Sequence, residues 1–208
     1  YNSLAPGVDT MARTAVVAGV GPGLGASVAE QFASEGLNVG LLARSESFIE
    51  SLADTLSETA GDAVAVPCDL ADPTDIEAAF ADVREAFGPV DVLVNHASAA
   101  PWKGLQAISD EEFQGALDVG PRAALHCSQE AVEDILETAG DGTIIFTGAT
   151  TSVRGRAGSI GFSAAKFATR GMAESMAREL GPEGVHVAHV VIDGQILPPD
   201  GPGDRDES

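Results

Sequence analysis

The sequence predicts a single α/β domain built around a doubly wound parallel sheet. Short, continuously apolar runs rich in β-branched residues alternate with longer segments of helical period, and the connections between them are short. Unbroken apolar runs are typical of strands buried on both faces of a parallel sheet, and strand–helix alternation is typical of the doubly wound arrangement. The length of 208 residues fits one such domain.

The predicted strands and helices follow one another along almost the whole chain. Six apolar runs are predicted to be strands: 14–20, 38–42, 63–66, 90–94, 143–146 and 185–192. The first helix begins near Leu24, where apolar residues start to recur at helical spacing. Asp72 and Pro73 provide the N-cap and the first residue of a later helix, and Gly181 with Pro182 ends the last one.

The domain boundaries are predicted from composition. Residues 11–197 form the predicted domain. Residues 1–10 precede Met11 and are interpreted as a remnant or leader outside the fold. Residues 198–208 are rich in Pro, Gly and Asp, which indicates a flexible tail or the start of a further C-terminal segment.

The charge balance is strongly acidic. The chain has 32 Asp and Glu against 11 Lys and Arg, for a formal net charge of −21. A nucleic-acid partner is not expected, because phosphate binding needs basic patches. The acids are spread over every segment, which fits either an ordinary solvated surface or a host adapted to high salt, where screening removes their repulsion. We favour the salt-adapted host.

Other function classes are excluded by residue patterns. No apolar run approaches the length of a membrane span and no secretory signal pattern is present, so a cytoplasmic protein without a membrane partner is expected. Cys68 and Cys127 lie in apolar surroundings without C-x-x-C spacing and are predicted to be buried free thiols. The four histidines lack metal-ligand spacing, so no metal site is predicted.

A glycine cluster follows the first predicted strand and opens the first helix. It places Gly19, Gly21, Gly23 and Gly25 within seven residues, and Leu24 lies inside it. A sharp turn whose backbone N–H groups approach a diphosphate at a helix N-terminus requires positions without a Cβ. The alternative is a tight turn that binds nothing. The strand–glycine–helix–strand context favours a Rossmann-type site for a dinucleotide.

The end of the second predicted strand bears on which dinucleotide binds. An NAD site usually places a carboxylate there for the ribose hydroxyls, whereas an NADP site offers an arginine to the 2′-phosphate. This chain has Ala43, Arg44 and Ser45 at that point, so NADP(H) is predicted in preference to NAD(H), with Arg44 and Ser45 as contacts. The alternative is a surface arginine paired with acids such as Glu46.

Four segments together resemble the short-chain dehydrogenase/reductase family, and the resemblance extends from residue 12 to about 197. Gly19, Gly23 and Gly25 match its Gly-xxx-Gly-x-Gly loop, and residues 68–70 match its adenine-contacting Asp-Leu segment. Residues 95–98 read Asn-His-Ala-Ser where Asn-Asn-Ala-Gly is usual, and residues 162–166 fall on its Tyr-xxx-Lys motif. The resemblance implies cofactor contacts from four further residues: Asp69, Leu70, Asn95 and Ile196.

The same resemblance implies a catalytic set of which this chain keeps one member. The family uses a tyrosine as acid or base, a lysine that binds the nicotinamide ribose, a serine that polarises the substrate oxygen and an asparagine that supports a proton relay. Here Phe162, Ala149 and Gly120 occupy the tyrosine, serine and asparagine positions, and Lys166 alone matches. Tyr1 is the single tyrosine of the chain. The resemblance also implies a homodimer or homotetramer, formed through the helices after the fourth and fifth strands.

Several side chains near the expected site are candidates to replace the tyrosine. Thr150 and Ser163 are hydroxyl candidates, as are Thr147 and Thr151, but an unactivated hydroxyl is a poor acid and is predicted to be a hydrogen-bonding or capping group. His96 titrates near neutrality and is chemically the most capable, although a buried histidine in place of a structural asparagine is favoured for it.

Three functions remain open from the sequence, of which the weakest is a purely structural subunit that binds no nucleotide. The first is an oxidoreductase that transfers hydride between NADP(H) and a small organic substrate, with an atypical acid or water in place of the tyrosine. The second is a non-catalytic NADP(H)-binding sensor or interaction protein that keeps the fold and has lost the chemistry.

Overall fold

Six strands form one parallel sheet in the computed structural model, which describes residues 12–138 and 141–194. The strands are β1 (Thr14–Ala18), β2 (Asn38–Ala43), β3 (Ala63–Pro67), β4 (Val90–Asn95), β5 (Thr143–Ala149) and β6 (His186–Ile192). Their spatial order is β3-β2-β1-β4-β5-β6, and every pairing is parallel. The predicted doubly wound α/β fold is confirmed.

Helices cover both faces of the sheet. They are α1 (Leu24–Ser34), α2 (Glu46–Leu56), α3 (Pro73–Phe87), α4 (Asp110–Leu117), α5 (Ala123–Glu137) and α6 (Ile160–Leu180). Buried residues of α1 and α2 pack in one apolar cluster, and those of α3, α5 and α6 pack in a second cluster on the opposite face. This two-sided coverage explains why most of the strands are unbroken apolar runs.

The helix signals predicted from sequence have the expected structural roles. The Asp72 carboxylate accepts a hydrogen bond from the Thr74 N–H at 2.9 Å, and Pro73 is the first residue of α3. α6 ends at Leu180, directly before Gly181. Cys68 and Cys127 are buried free thiols, as predicted, and burial is the main cause that raises the pKa of the Cys68 thiol to about 12.

Three strand predictions were wrong. The fifth strand extends to Ala149 rather than ending at residue 146, because it stays paired with β6 up to that residue. The first strand ends at Ala18 rather than at residue 20, because Gly19 turns the chain with φ +103° and the N–H groups of Gly19 and Val20 both donate to the Leu42 carbonyl. Burial on both faces fails for β6, where Val190 and Val191 are exposed. β6 is one of the two edge strands of the described sheet, and the helix packed against it is α6.

The strand order creates a crevice at the carboxyl edge of the sheet. β1 lies between β2 and β4, and the chain leaves β1 and β4 toward helices on opposite faces. Such a switch point is where open α/β sheets bind ligands. The loops at the carboxyl ends of the strands are therefore where contacts to a ligand are expected.

Within residues 12–138 and 141–194, no helix is long and apolar enough to cross a membrane. The same ranges contain no group of three or more His, Cys, Asp or Glu side chains that could hold a metal ion.

Candidate active site

The glycine loop after β1 packs tightly against the loop after β4. A Cβ at Gly19 would lie 2.6 Å from the backbone N and Cα of Ala97, and a Cβ at Gly25 would lie 2.9 Å from the Gly19 carbonyl oxygen. Real Cβ atoms do not approach other atoms this closely, so both positions require glycine for packing alone. These two glycines fix the path of the loop.

The other two glycines of the loop face open space. A Cβ at Gly21 or Gly23 would have no neighbour within 4 Å, and Gly21 lines the groove beside the loop. Gly23 is the N-cap of α1, and no side chain caps that end. The first turn of α1 has no acid, whereas α2 and α3 each have one and α4 has three. The free N–H groups and the positive end of the helix dipole suit an anion such as a diphosphate.

A groove of about 340 Å³ runs from this loop along the carboxyl ends of β2 and β3. It brings together seven of the residues singled out from the sequence: Gly19, Gly21, Arg44, Ser45, Asp69, Leu70 and His96. Gly23, Leu24 and Gly25 adjoin it through the same loop. Ile196 and the predicted boundary segments 1–10 and 198–208 lie outside the described residues.

Arg44 is exposed at the end of β2. No carboxylate of the described residues lies within 4.0 Å of its guanidinium, so pairing with Glu46 does not occur. Glu46 instead begins α2, where a negative charge interacts favourably with the helix dipole. The Arg44 charge is therefore available to an anion in the groove.

Lys166 is buried at the inner end of the crevice. Its Nζ donates a hydrogen bond to the Thr147 carbonyl at 2.8 Å, and the side chain is 7% exposed. Burial lowers the pKa of the ammonium to about 8. One of its three N–H donors is used by Thr147, which leaves two for other partners.

Phe162 lies over the lysine one helical turn away. Its ring centroid is 5.6 Å from Lys166 Nζ and 5.3 Å from the ring centroid of Trp102, to which it is tilted by 58°. The phenyl face attracts the ammonium and shields it from water, but it has no proton to give. Trp102 was missed in the sequence analysis; the signal was the one tryptophan of the chain, on a loop that follows a strand of the sheet.

Gly120 lies in a π-helical turn, Asp118–Arg122, that joins α4 to α5. With Asn95, Thr147 and Lys166 it lines a small cavity of about 10 Å³, close to the volume that one water occupies. The Asn95 amide donates to Ser128 Oγ at 3.1 Å, and its buried Oδ1 has no partner among the described residues. The predicted cofactor contact of Asn95 therefore faces this cavity rather than the groove.

His96 joins the glycine loop to β5. Its Nδ1 lies 3.0 Å from Thr147 Oγ1, and the Thr147 hydroxyl donates to the Asn95 carbonyl at 3.3 Å. Since that hydroxyl proton is used, Nδ1–H is the donor to Thr147 and the ring is a neutral tautomer. Burial, followed by the charge of Lys166, lowers the pKa of His96 to about 4, so it is not a proton donor at neutral pH.

The hydroxyl candidates are engaged in local structure. The Thr150 hydroxyl donates to the Asp193 carboxylate, and Ser163 Oγ lies 3.3 Å from Ser159 Oγ. Ala149 is the last residue of β5, and its N–H donates to the hydroxyl of Ser152 at 2.9 Å. These contacts agree with hydrogen-bonding roles for Thr147, Thr150 and Ser163. Thr151 departs from the prediction, since its buried Oγ1 has no hydrogen-bond partner among the described residues.

A parallel sheet with a glycine-rich loop at its switch point and a buried lysine in the adjoining crevice is the architecture of a dinucleotide-binding oxidoreductase. Comparison with known proteins gives the family. Residues 13–195 match the family model described as short chain dehydrogenase, and the chain belongs to that family.

Individual relatives and solved structures agree with this assignment. The short-chain reductase protein NovJ of Streptomyces niveus is 35% identical over 185 residues, covering 89% of this chain and 70% of that protein. A short-chain dehydrogenase from Rhodopseudomonas palustris aligns with a TM-score of 0.82 and 32% identity, over 88% of this chain and 85% of that one.

A further solved structure was obtained with a nicotinamide cofactor. The 3-ketoacyl-(acyl-carrier-protein) reductase from Brucella melitensis, in complex with NADH, aligns with a TM-score of 0.81 and 25% identity. The alignment covers 87% of this chain and 75% of the reductase. That reductase therefore binds a nicotinamide dinucleotide on the same fold.

Proposed function

We propose that this protein is an NADP(H)-dependent oxidoreductase that reduces a carbonyl group of a small organic substrate, with Lys166 as the proton donor in place of a tyrosine. The observation that carries the proposal is the Lys166 ammonium, which is buried beside the cofactor groove with a single hydrogen bond to the chain. A buried charge with unused donors is costly unless a ligand completes its contacts.

Different residues of the chain bind different parts of the cofactor. Gly21, Gly23 and the first turn of α1 hold the diphosphate, and Arg44 with Ser45 holds the 2′-phosphate. Asp69 and Leu70 form the adenine end of the groove. The bound NADPH supplies the hydride. Lys166 uses one free N–H for the nicotinamide ribose and one for the substrate oxygen.

The proton has to come from Lys166. Hydride addition to the carbonyl carbon leaves a negative charge on its oxygen, and Phe162 has no proton to neutralise it. Transfer of one proton from Lys166 Nζ gives the alcohol and a neutral amine. A pKa of about 8 suits a donor at neutral pH, and the water-sized cavity beside Gly120 offers a route for reprotonation.

Turnover is the direct test. Purified protein in molar salt is incubated with NADPH and a series of aldehydes and ketones, and the loss of reduced-nicotinamide absorbance is followed. The proposal expects steady oxidation of NADPH with at least one carbonyl compound. Saturable NADPH binding without any turnover across the series argues against it.

Arg44→Gln is expected to raise the Kd for NADPH by about tenfold or more, because a hydrogen bond to a charged group contributes about 1.5–3 kcal/mol. The Kd for NADH stays within about twofold, since NADH has no 2′-phosphate. Titration of each nucleotide by its own fluorescence measures both values. Arg178→Gln is the matched control, as Arg178 is exposed on α6 and also has no carboxylate within 4.0 Å in the described ranges. An equal rise in the Kd for both nucleotides would show that Arg44 does not bind the 2′-phosphate.

The alternative is a non-catalytic NADP(H)-binding sensor or interaction protein. The observations that favour it are Phe162, Ala149 and Gly120, which occupy three of the four catalytic positions of the family. Exposed apolar side chains on α5 and α6, namely Leu125, Leu136 and Phe167, support association into a homodimer or homotetramer under either function.

The double variant Phe162→Tyr, Ala149→Ser distinguishes the two functions. Under the proposed function the parent already reduces carbonyl compounds, and the variant does so about 10-fold to 100-fold faster because a phenol joins the proton transfer. Single-turnover rates with NADPH measure the gain. A parent with no turnover, combined with an active variant, favours the non-catalytic alternative. Phe113→Tyr, a substitution on α4, is the control for an added hydroxyl.

The excess of acids supports a host adapted to high salt. At pH 7 the Tm is expected to rise by at least about 5 °C between low and molar NaCl, because screening removes repulsion among the acids. Near pH 4.2, where the net charge approaches zero, this rise should vanish. Thermal unfolding followed by circular dichroism measures both. A Tm that is independent of salt at pH 7 contradicts the adaptation.

A further inference from the structure

The cations of this acidic chain fall into two groups. Ten of the 11 Lys and Arg residues lie in the described ranges. Five have a carboxylate within 4.0 Å: Arg13, Arg84, Lys103, Arg122 and Arg170. Five have none among the described residues: Arg44, Arg154, Arg156, Lys166 and Arg178.

Four of these five lie at the carboxyl edge of the sheet, where the crevice opens. Arg44 follows β2, Lys166 lies in the crevice, and Arg154 and Arg156 are exposed on the loop between β5 and α6. Arg178 is the exception, since it lies near the far end of α6. The cofactor accounts for Arg44 and Lys166, but no contact described so far accounts for Arg154 and Arg156.

The lack of partners for these two arginines is informative because carboxylates are abundant. With 32 acids in the chain, ion pairs form readily at its surface, as the five paired cations demonstrate. Two exposed guanidinium groups on one short loop, with no carboxylate within 4.0 Å among the described residues, leave their charge open to a shared counter-charge. An anion that accepts hydrogen bonds from both is such a counter-charge, and guanidinium geometry suits carboxylate and phosphate.

Short-range hydrogen bonds hold the loop that bears the arginines. The Arg154 N–H donates to the Thr150 carbonyl at 3.1 Å, and the Arg156 carbonyl accepts from Ser159 Oγ at 3.0 Å. At the start of α6, the Ile160 N–H donates to the Lys103 carbonyl at 3.2 Å. The loop is thereby fixed next to the segment that bears Trp102.

Trp102 provides an apolar surface at the same opening. Its side chain is 63% exposed although its ring packs against Phe162. An exposed aromatic ring that packs on a second ring is suited to an apolar ring or chain. The opening therefore combines an apolar wall with an unpaired pair of cations.

We infer that the substrate is an anionic carbonyl compound with an apolar body. Its carboxylate or phosphate binds Arg154 and Arg156, its apolar part packs on Trp102 and Phe162, and its carbonyl oxygen meets Lys166. The inference rests on the proposed reductase function and specifies its substrate class. The reaction is unchanged: hydride from NADPH adds to the carbonyl carbon, and Lys166 delivers the proton to the oxygen.

Matched aldehydes test the inference by turnover. 4-Carboxybenzaldehyde and 4-formylphenyl phosphate supply the two anions, and 4-methylbenzaldehyde is the neutral counterpart, all in the same molar salt. The wild-type kcat/KM is expected to favour at least one anionic aldehyde by about tenfold or more. In the double variant Arg154→Gln, Arg156→Gln this ratio falls to about one, and in the control Arg178→Gln it persists.

The single tryptophan gives a second measurement that does not depend on turnover. With NADP⁺ present, Trp102 fluorescence is titrated with 4-(hydroxymethyl)benzoate and with 4-methylbenzyl alcohol. The carboxylate is expected to bind about tenfold more tightly or better, and the double arginine variant should lose this preference. The inference is overturned if the neutral alcohol binds as tightly, or if the double variant keeps the preference.

Failure of the inference and failure of the proposed function give different results. If fluorescence shows saturable NADPH binding and neutral aldehydes are turned over, but anionic aldehydes are not preferred, the inference alone is overturned. Absence of NADPH binding overturns both.

Discussion

Lys166→Met is expected to lower kcat for carbonyl reduction by about 10²–10⁴-fold, the usual contribution of a positioned acid. Methionine keeps the length and apolar stem of the side chain, and it removes a buried charge, so the fold should persist. Steady-state kinetics with saturating NADPH measure the loss. Retention of kcat to within about tenfold of the wild type contradicts a proton donor at this position.

The pH profile separates proton donation from simple binding. In the wild type, kcat is expected to be flat below pH 8 and to fall as the pH rises through about 8, because the acid form of Lys166 is then lost. His96, with a pKa lowered to about 4, does not change its protonation in this range. Lys103→Met is the matched control, since Lys103 is the other lysine of the sequence and pairs with Glu112 at the surface. That variant should keep both the rate and the profile.

Gly21→Val is expected to weaken NADPH binding by about 10-fold to 100-fold while the Tm stays nearly unchanged. A Cβ at Gly21 would have no atom within 4 Å, and the φ angle of Gly21 is not in the left-handed region. The protein without ligand is therefore expected to tolerate the substitution. The same side chain occupies the space through which a diphosphate would reach the backbone N–H groups, and a displaced contact of a charged group costs about 1.5–3 kcal/mol.

The control for this substitution is Gly181→Val. Gly181 also has open space around its Cβ position and lies beyond the end of α6, far along the helix from Lys166. Nucleotide titration and thermal unfolding of both variants give the comparison. If Gly21→Val binds NADPH as the wild type does, the diphosphate does not lie on this loop.

The features that could be predicted from the sequence are those set by local chemistry. The glycine loop is one, since a sharp strand-to-helix turn restricts residue type within a few positions. The N-cap at Asp72 and the end of α6 are others, because capping depends on neighbours two to four residues away. The burial of most strands followed from their apolar runs.

The features that could not be predicted depend on contacts between distant segments. The Asn95 amide turns toward Ser128, which is 33 residues away, and His96 pairs with Thr147 on the next strand. Trp102 meets Phe162 because two loops pack together at the crevice. The exposure of β6 depends on its place at the edge of the described sheet, which periodicity within the strand does not encode.

Isothermal titration calorimetry of the full chain with NADPH, in molar salt, tests the central claim most directly. The claim is that the glycine-rich loop at the N-terminus of α1 holds the diphosphate of a nicotinamide dinucleotide. The account predicts saturable binding of one NADPH per chain, with NADH binding about tenfold or more weakly because it lacks a group for Arg44. Absence of a binding heat for both nucleotides, in a sample whose circular dichroism shows a folded α/β protein, would contradict it.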